Sequence, residues 1–271
     1  MKLLVTGANG FVGSAVVRAA RERGHDVRTF TRADGDICDA AAAKRAAEGV
    51  DVVVHAAGSA HLFKPTPEKE REQRRVNVHG TRTFAAASRH AHFVLVSSVS
   101  VHGGGTTSYA QSKIDGERAA SELAQRVTIV RLATVYGPGD PGNVARLIRT
   151  YGKLPLRVGD GSNRKTLIYI DDVAAGVLAA AESEETGACD LAAPPVTMRE
   201  VLDAIDLALG RRARITIPAA PLRVLRPHLW RKFTSDEVFD PAPFAERYGF
   251  TARTPLVDGI TREVAWLRGG R

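Results

Sequence analysis

A chain of 271 residues, 44% hydrophobic and 25% charged, can bury one large core, and no apolar run approaches the roughly 20 residues that span a bilayer. Its +8 formal charge and pI near 9.8 come without a basic tail or a cluster of stacking aromatics, which argues against nucleic acid and reads first as a solvated surface, with an anionic substrate as a second contributor. Cys38 and Cys189 make neither a disulfide framework nor a metal spacing, and Met1 leads straight into an apolar strand with no signal region, so a reduced, cytoplasmic protein without a membrane segment is expected.

The chain begins with Leu3-Leu4-Val5, a run that fits a strand buried on both faces, followed by three glycines at Gly7, Gly10 and Gly13. Val16, Val17 and Ala20 then recur at helical spacing until Arg21, Arg23 and Gly24 end the helix. Strand, glycine turn and helix together predict a dinucleotide site: one glycine turns sharply, one admits a phosphate, one lets helix and strand pack, and the pyrophosphate rests on the helix N-terminus. The spacing is G-x-x-G-x-x-G, so the surrounding elements carry the assignment. Asp26–Thr31 supplies a second strand at βαβ distance, and an alanine-rich helix from about 39 to 48 ends at Gly49. Asp51–Gly58 is a third strand running into a small-residue turn where a cofactor is expected. A polar stretch, 59–75, with Pro65 and Pro67 leads into a helix carrying Val76, Asn77, Thr81 and Phe84.

His92–Ser98 is a fourth strand that ends in two hydroxyls, at the carboxyl edge where open α/β sheets bind ligands. After Gly103-Gly104-Gly105, a helix places Tyr109 and Lys113 on one face, four residues apart. Val127–Leu132 is the fifth strand. Beyond it the alternation loosens into the loops 137–142 and 159–161, a short strand at 167–170, a helix at 172–181, and a proline-interrupted region with Pro194, Pro195, Pro218, Pro221, Pro241 and Pro243. The predicted architecture is α/β, a Rossmann-type doubly wound parallel sheet over 1–165 with 166–190 returning to it, and a small substrate-binding lobe mainly from 191–271.

With these residues in view, the chain resembles the extended short-chain dehydrogenase/reductases, in their NAD-dependent epimerase/dehydratase (nucleotide-sugar) branch. The resemblance rests on Thr6-Gly7-x-x-Gly10-x-x-Gly13, Asp36-Ile37, His55-x-Ala57, Val76-Asn77-Val78-x-Gly80-Thr81, Ser97-Ser98, Tyr109-x-x-x-Lys113, Arg131-x-x-x-Val135-Tyr136-Gly137-Pro138-Gly139 and Tyr169-Ile170-Asp171-Asp172-Val173. It implies that Tyr109 passes the substrate proton, that Lys113 favours its phenolate and holds the nicotinamide ribose, and that Ser98 holds the substrate oxygen, with Ser97 as the substitute. It implies cofactor contacts from Gly7, Asn9, Gly10, Phe11, Val12, Gly13, Thr31, Arg32, Asp36, Ile37, His55, Ala56, Ala57, Gly58, Asn77, Ser97, Tyr109, Lys113, Leu132, Ala133 and Val135. Asn77 fits a bracing role as well as a cofactor role. His55, His61 and His102 have no metal spacing, and no metal is expected.

The chain also departs from the family pattern. Val99-Ser100 stands where the family's dehydratases carry an Asp-Glu pair, so dehydration is not expected. Only ten residues separate Ser98 from Tyr109, fewer than in sugar-active relatives. The candidate substrate residues are Asn143, Arg164 and Lys165; Lys165 occupies the place of a diphosphate-binding arginine. Thr31-Arg32 replaces the acid that accepts the 2′-OH of NAD, which favours NADP(H) and leaves NAD(H) open. The resulting expectation is a 4-keto-sugar reductase or 4-epimerase of a nucleotide diphosphate sugar. The alternatives are a carbonyl reductase of a hydrophobic ketone, steroid- or flavonoid-like, and a non-catalytic NADP-sensing regulator. A homodimer is left open.

Overall fold

Apolar runs with no polar face to offer water set the sheet of the first unit. Leu3, Leu4, Val5, Val53, Val54, Phe93 and Val94 are fully or almost fully buried, as strands covered on both sides must be. In the computed structural model, which describes residues 1–59, 66–211, 215–220, 230 and 234–269, these runs become β1 (Lys2–Thr6), β2 (Asp26–Phe30), β3 (Val52–His55), β4 (His92–Ser98) and β5 (Arg126–Leu132). His61, Pro65 and Pro221, named above, lie outside the described residues, as do the rest of 60–65 and all of 221–233 but Trp230. With the strand Gly187–Leu191 they form a six-stranded parallel sheet in the order Gly187–Leu191, β5, β4, β3, β1, β2. The order reverses between β1 and β3, and such a switch opens a crevice at the carboxyl ends of those two strands.

The connecting helices are α1 (Phe11–Glu22), α2 (Ala40–Ala47), α3 (Pro67–Arg74), α4 (Thr81–Ala87) and α5 (Ser108–Leu123). Asp39 caps α2 through Ala41 N and Ala42 N, and Thr107 caps α5 through Ala110 N, which fixes where each helix starts. A π-helical turn at Arg75–Gly80 joins α3 to α4. Phe84, Phe93, Leu4, Val53, Leu95 and Ile129 close one core layer, with Phe30 edge-on to Phe84 at 4.9 Å between ring centres.

Chain contacts divide the protein after Leu132, not near residue 165. The first unit holds Met1–Leu132, Val173–Leu191 and Ala242–Phe250; the second holds Ala133–Asp172, Ala192–Pro241 and Thr251–Arg271. The chain therefore returns to the sheet unit twice after leaving it, once through most of the helix Ile170–Glu182 and once through the helix Ala242–Tyr248.

Within the second unit, the helix Leu256–Gly269 carries Glu263, which is 0% exposed and whose carboxyl meets the backbone of Gly137 and the carboxyl of Asp140. It lies near Asp140, whose oxygens accept from Gly142 N at 2.5 Å and Ala145 N at 2.9 Å. Burial first, and then the Asp140 charge, push Glu263 up to about 8. A carboxyl raised on folding binds its proton more tightly in the native state, so its contribution is full at acid pH and declines as pH rises toward that value. Wild-type stability is therefore expected to fall by a few kcal/mol, in order of magnitude, between about pH 5 and pH 8, and Glu263→Gln to flatten that decline. Denaturant unfolding of both proteins across that range checks this. An equal slope in the variant contradicts it.

Candidate active site

The site begins where β1 meets α1. Gly7 has φ +66°, donates its N–H to Phe30 O at 2.9 Å, and sits so close to the turn after β3 that a Cβ would lie 2.7 Å from the Ala57 backbone. Gly10 N donates to Gly7 O at 2.8 Å, closing the turn. Gly10 then opens α1 with no side-chain cap, which leaves the first-turn N–H groups of Phe11, Val12 and Gly13 for a ligand. Asn9 and Gly10 are exposed at this turn, and Phe11 and Val12 are partly exposed. An uncapped, glycine-lined helix start of this kind fits the pyrophosphate of a dinucleotide. Thr6 Oγ1 accepts from Ala57 N at 3.2 Å and pairs with His55 Nδ1 at 3.0 Å, tying the ends of β1 and β3 together.

His55 itself, expected among the cofactor contacts, belongs to the core. It is fully buried, stacked on Phe93 at 5.4 Å, and burial brings it down to about 3, so it is neutral. At the end of β2, Thr31 donates its N–H and hydroxyl to Asp34 Oδ2, both at 2.8 Å, and Arg32 follows on the surface. Asp36 takes Arg75 at 2.8 Å, and Ile37 packs against Gly80, where a Cβ would be 2.9 Å away.

Catalytic candidates come together at the carboxyl end of β4. Ser98 and Tyr109 are joined by a hydrogen bond, and Lys113 Nζ donates to Val96 O at 3.0 Å. The spacing predicts that Lys113 lowers the Tyr109 phenol. In the free protein the phenol instead lies above its usual value, because burial outweighs the Ser98 hydrogen bond. The Lys113 ammonium is engaged by a backbone carbonyl and is itself brought down to about 8 by burial, with Glu117 opposing.

Asn77 is a brace. Lying in the π-helical turn, it accepts from Ser59 N at 2.7 Å and donates to Ser59 O at 3.1 Å and Ser112 Oγ at 2.9 Å. Gly58 stands between, since a Cβ there would be 3.3 Å from Asn77 Oδ1 and 3.5 Å from Lys113 Nζ. Ser97 is not a substitute for Ser98: it is buried, and its hydroxyl is spent on Glu117 at 2.6 Å. Sequence reading missed Glu117, although a carboxylate four residues after Lys113 was a signal available to it.

Leu132 pairs with Ser98 across β4 and β5, whereas Ala133 and Val135 fall in the second unit. So do the substrate candidates. Asn143 is the first residue of α6 (Asn143–Lys153), Arg164 pairs with Asp236 at 3.1 Å, and Lys165 pairs with Glu237 at 3.2 Å. Val99 and Ser100 lie in a 3₁₀ turn with no acidic side chain. Among the described residues no His/Cys/Asp/Glu group is arranged to hold a metal, and no helix is long and apolar enough to cross a membrane.

Against known proteins, the NAD dependent epimerase/dehydratase family matches residues 3–191. The chain is similar to the ceramide reductase of Caulobacter vibrioides, 29% identical over 97% of this chain and 93% of that one. It is also similar to the 2-alkyl-3-oxoalkanoate reductase of Stenotrophomonas maltophilia, 31% identical over 78% and 76%. Among solved structures, MoeE5 in complex with UDP-glucose and NAD superimposes with a TM-score of 0.75 at 25% identity, covering 100% of this chain and 99% of that one.

Proposed function

The chain belongs to the NAD-dependent epimerase/dehydratase family, and from that premise we propose that it interconverts a ketone and a secondary alcohol, with Tyr109 carrying the proton. The observation behind this reading is the Ser98, Tyr109 and Lys113 cluster at the end of β4. The family is nicotinamide-dinucleotide dependent, and the nicotinamide supplies or takes up the hydride when bound. Gly7, Gly10, Gly13 and the first turn of α1 would hold its pyrophosphate, and Lys113 would hold its ribose hydroxyls. Ser98 orients the substrate oxygen. Tyr109, protonated at neutral pH by its burial, gives that oxygen its proton as the carbonyl is reduced.

Reduction of a ketone is common to both substrate readings. A nucleotide-linked sugar, handled by a 4-keto-sugar reductase or a 4-epimerase, is supported by the likeness to MoeE5, solved with UDP-glucose and NAD. A hydrophobic ketone is supported by relatives named for ceramide and for 2-alkyl-3-oxoalkanoates, which carry alkyl chains, and by the commitment of Arg164 and Lys165 to carboxylates. The relatives weigh more than the ion pairs, because exposed pairs are worth about 1 kcal/mol or less and a diphosphate can displace them. We therefore place the hydrophobic ketone first. Incubation with NADPH or NADH and either long-chain 3-oxo compounds or UDP- and dTDP-4-keto sugars decides. Net cofactor consumption on the alkyl ketones supports the first reading, consumption on the sugars selects a sugar reductase, and isomer exchange without consumption selects the epimerase. Tight dinucleotide binding with no turnover of either class rejects the proposal in favour of a sensor.

For the cofactor, Arg32 is the residue that favours NADP(H), and the nearby Asp34 opposes it. Arg32→Ala is expected to weaken NADPH by about 10-fold with little effect on NADH, as for the loss of one charge-assisted phosphate contact. Thr31→Asp is expected to shift preference toward NAD(H) by placing a charge against the 2′-phosphate. Fluorescence titration of both cofactors measures this, and equal affinities unchanged by either substitution contradict it.

A further inference from the structure

Three consecutive residues at the end of β4 hold three residues of α5 that stand one helical turn apart. Ser98 bonds Tyr109, Val96 O accepts from Lys113, and Ser97 Oγ donates to Glu117 Oε1. Residues four apart share a helix face, so 109, 113 and 117 form one row along the strand end. The Glu117 carboxylate, buried to 8% exposure, is clasped by Arg131 through Nε at 3.0 Å and Nη2 at 2.7 Å. Arg131 comes from β5, next to Asp190, which in turn takes His102 Nε2 at 2.8 Å.

Resting on the hydride-transfer reading, we propose that Glu117 is a positioning residue: anchored by Ser97 and Arg131, its carboxylate keeps Lys113 in the ammonium form one turn from Tyr109. A buried ammonium needs more than a carbonyl to offset its lost hydration, and Val96 O gives only a partial charge. Each element around Lys113 contributes its own groups. On its own helix stand Tyr109 and Glu117; on β3 is His55, neutral through burial; from the π-helical turn comes the uncharged Asn77; on β5 is Arg131, held by Glu117 and flanked by Asp190. Glu117 is the anion among them that acts on Lys113, which lies at about 8 with its help. Without it the lysine gives up its proton at lower pH, and a larger share of the enzyme carries a neutral amine where a cation would favour the phenolate and meet the ribose hydroxyls.

The test reads Lys113 directly. The chain has eight lysines, few enough for the Lys113 Cε signal to be assigned in ¹³C-lysine-labelled protein by comparison with Lys113→Met. In Glu117→Gln the proton affinity of Lys113 is expected to fall about tenfold, and the alkaline limb of kcat/KM to move down by about one pH unit with it. Glu117→Asp, which keeps the charge, is expected to stay within about threefold of wild type. An unshifted Lys113 titration in folded Glu117→Gln overturns the proposal. So does a uniformly slower enzyme with an unmoved pH profile, the result a purely structural brace gives. If Glu117→Gln does not fold, Arg131→Met decides: with the guanidinium gone the carboxylate acts on Lys113 uncompensated, so the Lys113 titration is expected to move up, and an unmoved titration in the folded variant overturns the proposal. The hydride-transfer reading fails separately, through a Tyr109→Phe variant that keeps full turnover while Lys113 still responds to Glu117.

Discussion

Tyr109→Phe is expected to lower turnover about 10²–10⁴-fold while fold and cofactor affinity are retained, because the substitution removes one hydroxyl and the proton it passes. The ring stays in place against the end of β4, and Lys113 keeps its own anchor on Val96 O, so neither the helix row nor the dinucleotide turn depends on the lost atom. Ser98 loses its phenol partner and nothing larger. Steady-state rates on whichever ketone is turned over, with a cofactor titration alongside, check both halves. Loss of activity with intact cofactor binding is the expected result; full activity removes Tyr109 from the chemistry, and lost cofactor binding turns it into a structural residue.

Gly13→Ala carries the second large effect. Its Cβ would lie 2.2 Å from Gly7 O and 2.8 Å from Gly7 C, both backbone atoms of the turn proposed to hold the pyrophosphate. No side-chain rotation relieves a contact with backbone, so α1 must move away from β1 or the turn must open. The expected outcome is a loss of about 3 kcal/mol or more in stability, or a dinucleotide affinity reduced at least about 100-fold. Gly152→Ala in α6 is the control, since the nearest atom to its Cβ is 3.9 Å away and alanine favours a helix. Calorimetry and cofactor titration on both variants measure this. Equal behaviour of the two contradicts the assignment of the glycine turn.

How much of this was legible in the sequence follows from distance along the chain. The glycine turn and the Tyr109–Lys113 row are local patterns, set by residues three and four apart, and the backbone realises them where they were read. The strands of the sheet were legible because burial on both faces forces unbroken apolar runs. His55 misled because its imidazole looks polar, while the aromatic neighbours that bury it, Phe84 and Phe93, arrive from 29 and 38 residues later. Asn77 and Ser97 were ambiguous for the same reason, since their partners Ser112 and Glu117 stand 35 and 20 residues away. The division into units was the least legible. Asp172 is fixed by Arg253 N and Thr254 N, and Arg164 by Asp236, through hydrogen bonds 81, 82 and 72 residues apart that no local periodicity announces.

The most direct test of the central claim follows the hydride itself. The protein is incubated with NADPH or NADH carrying deuterium at C4 and with the two classes of ketone, and the products are analysed by mass spectrometry. Deuterium on the carbinol carbon of one class, appearing with wild type and reduced at least about 100-fold with Tyr109→Phe, is the predicted result. Dinucleotide bound but deuterium never transferred to any ketone, or transferred equally by the Tyr109→Phe variant, would contradict it.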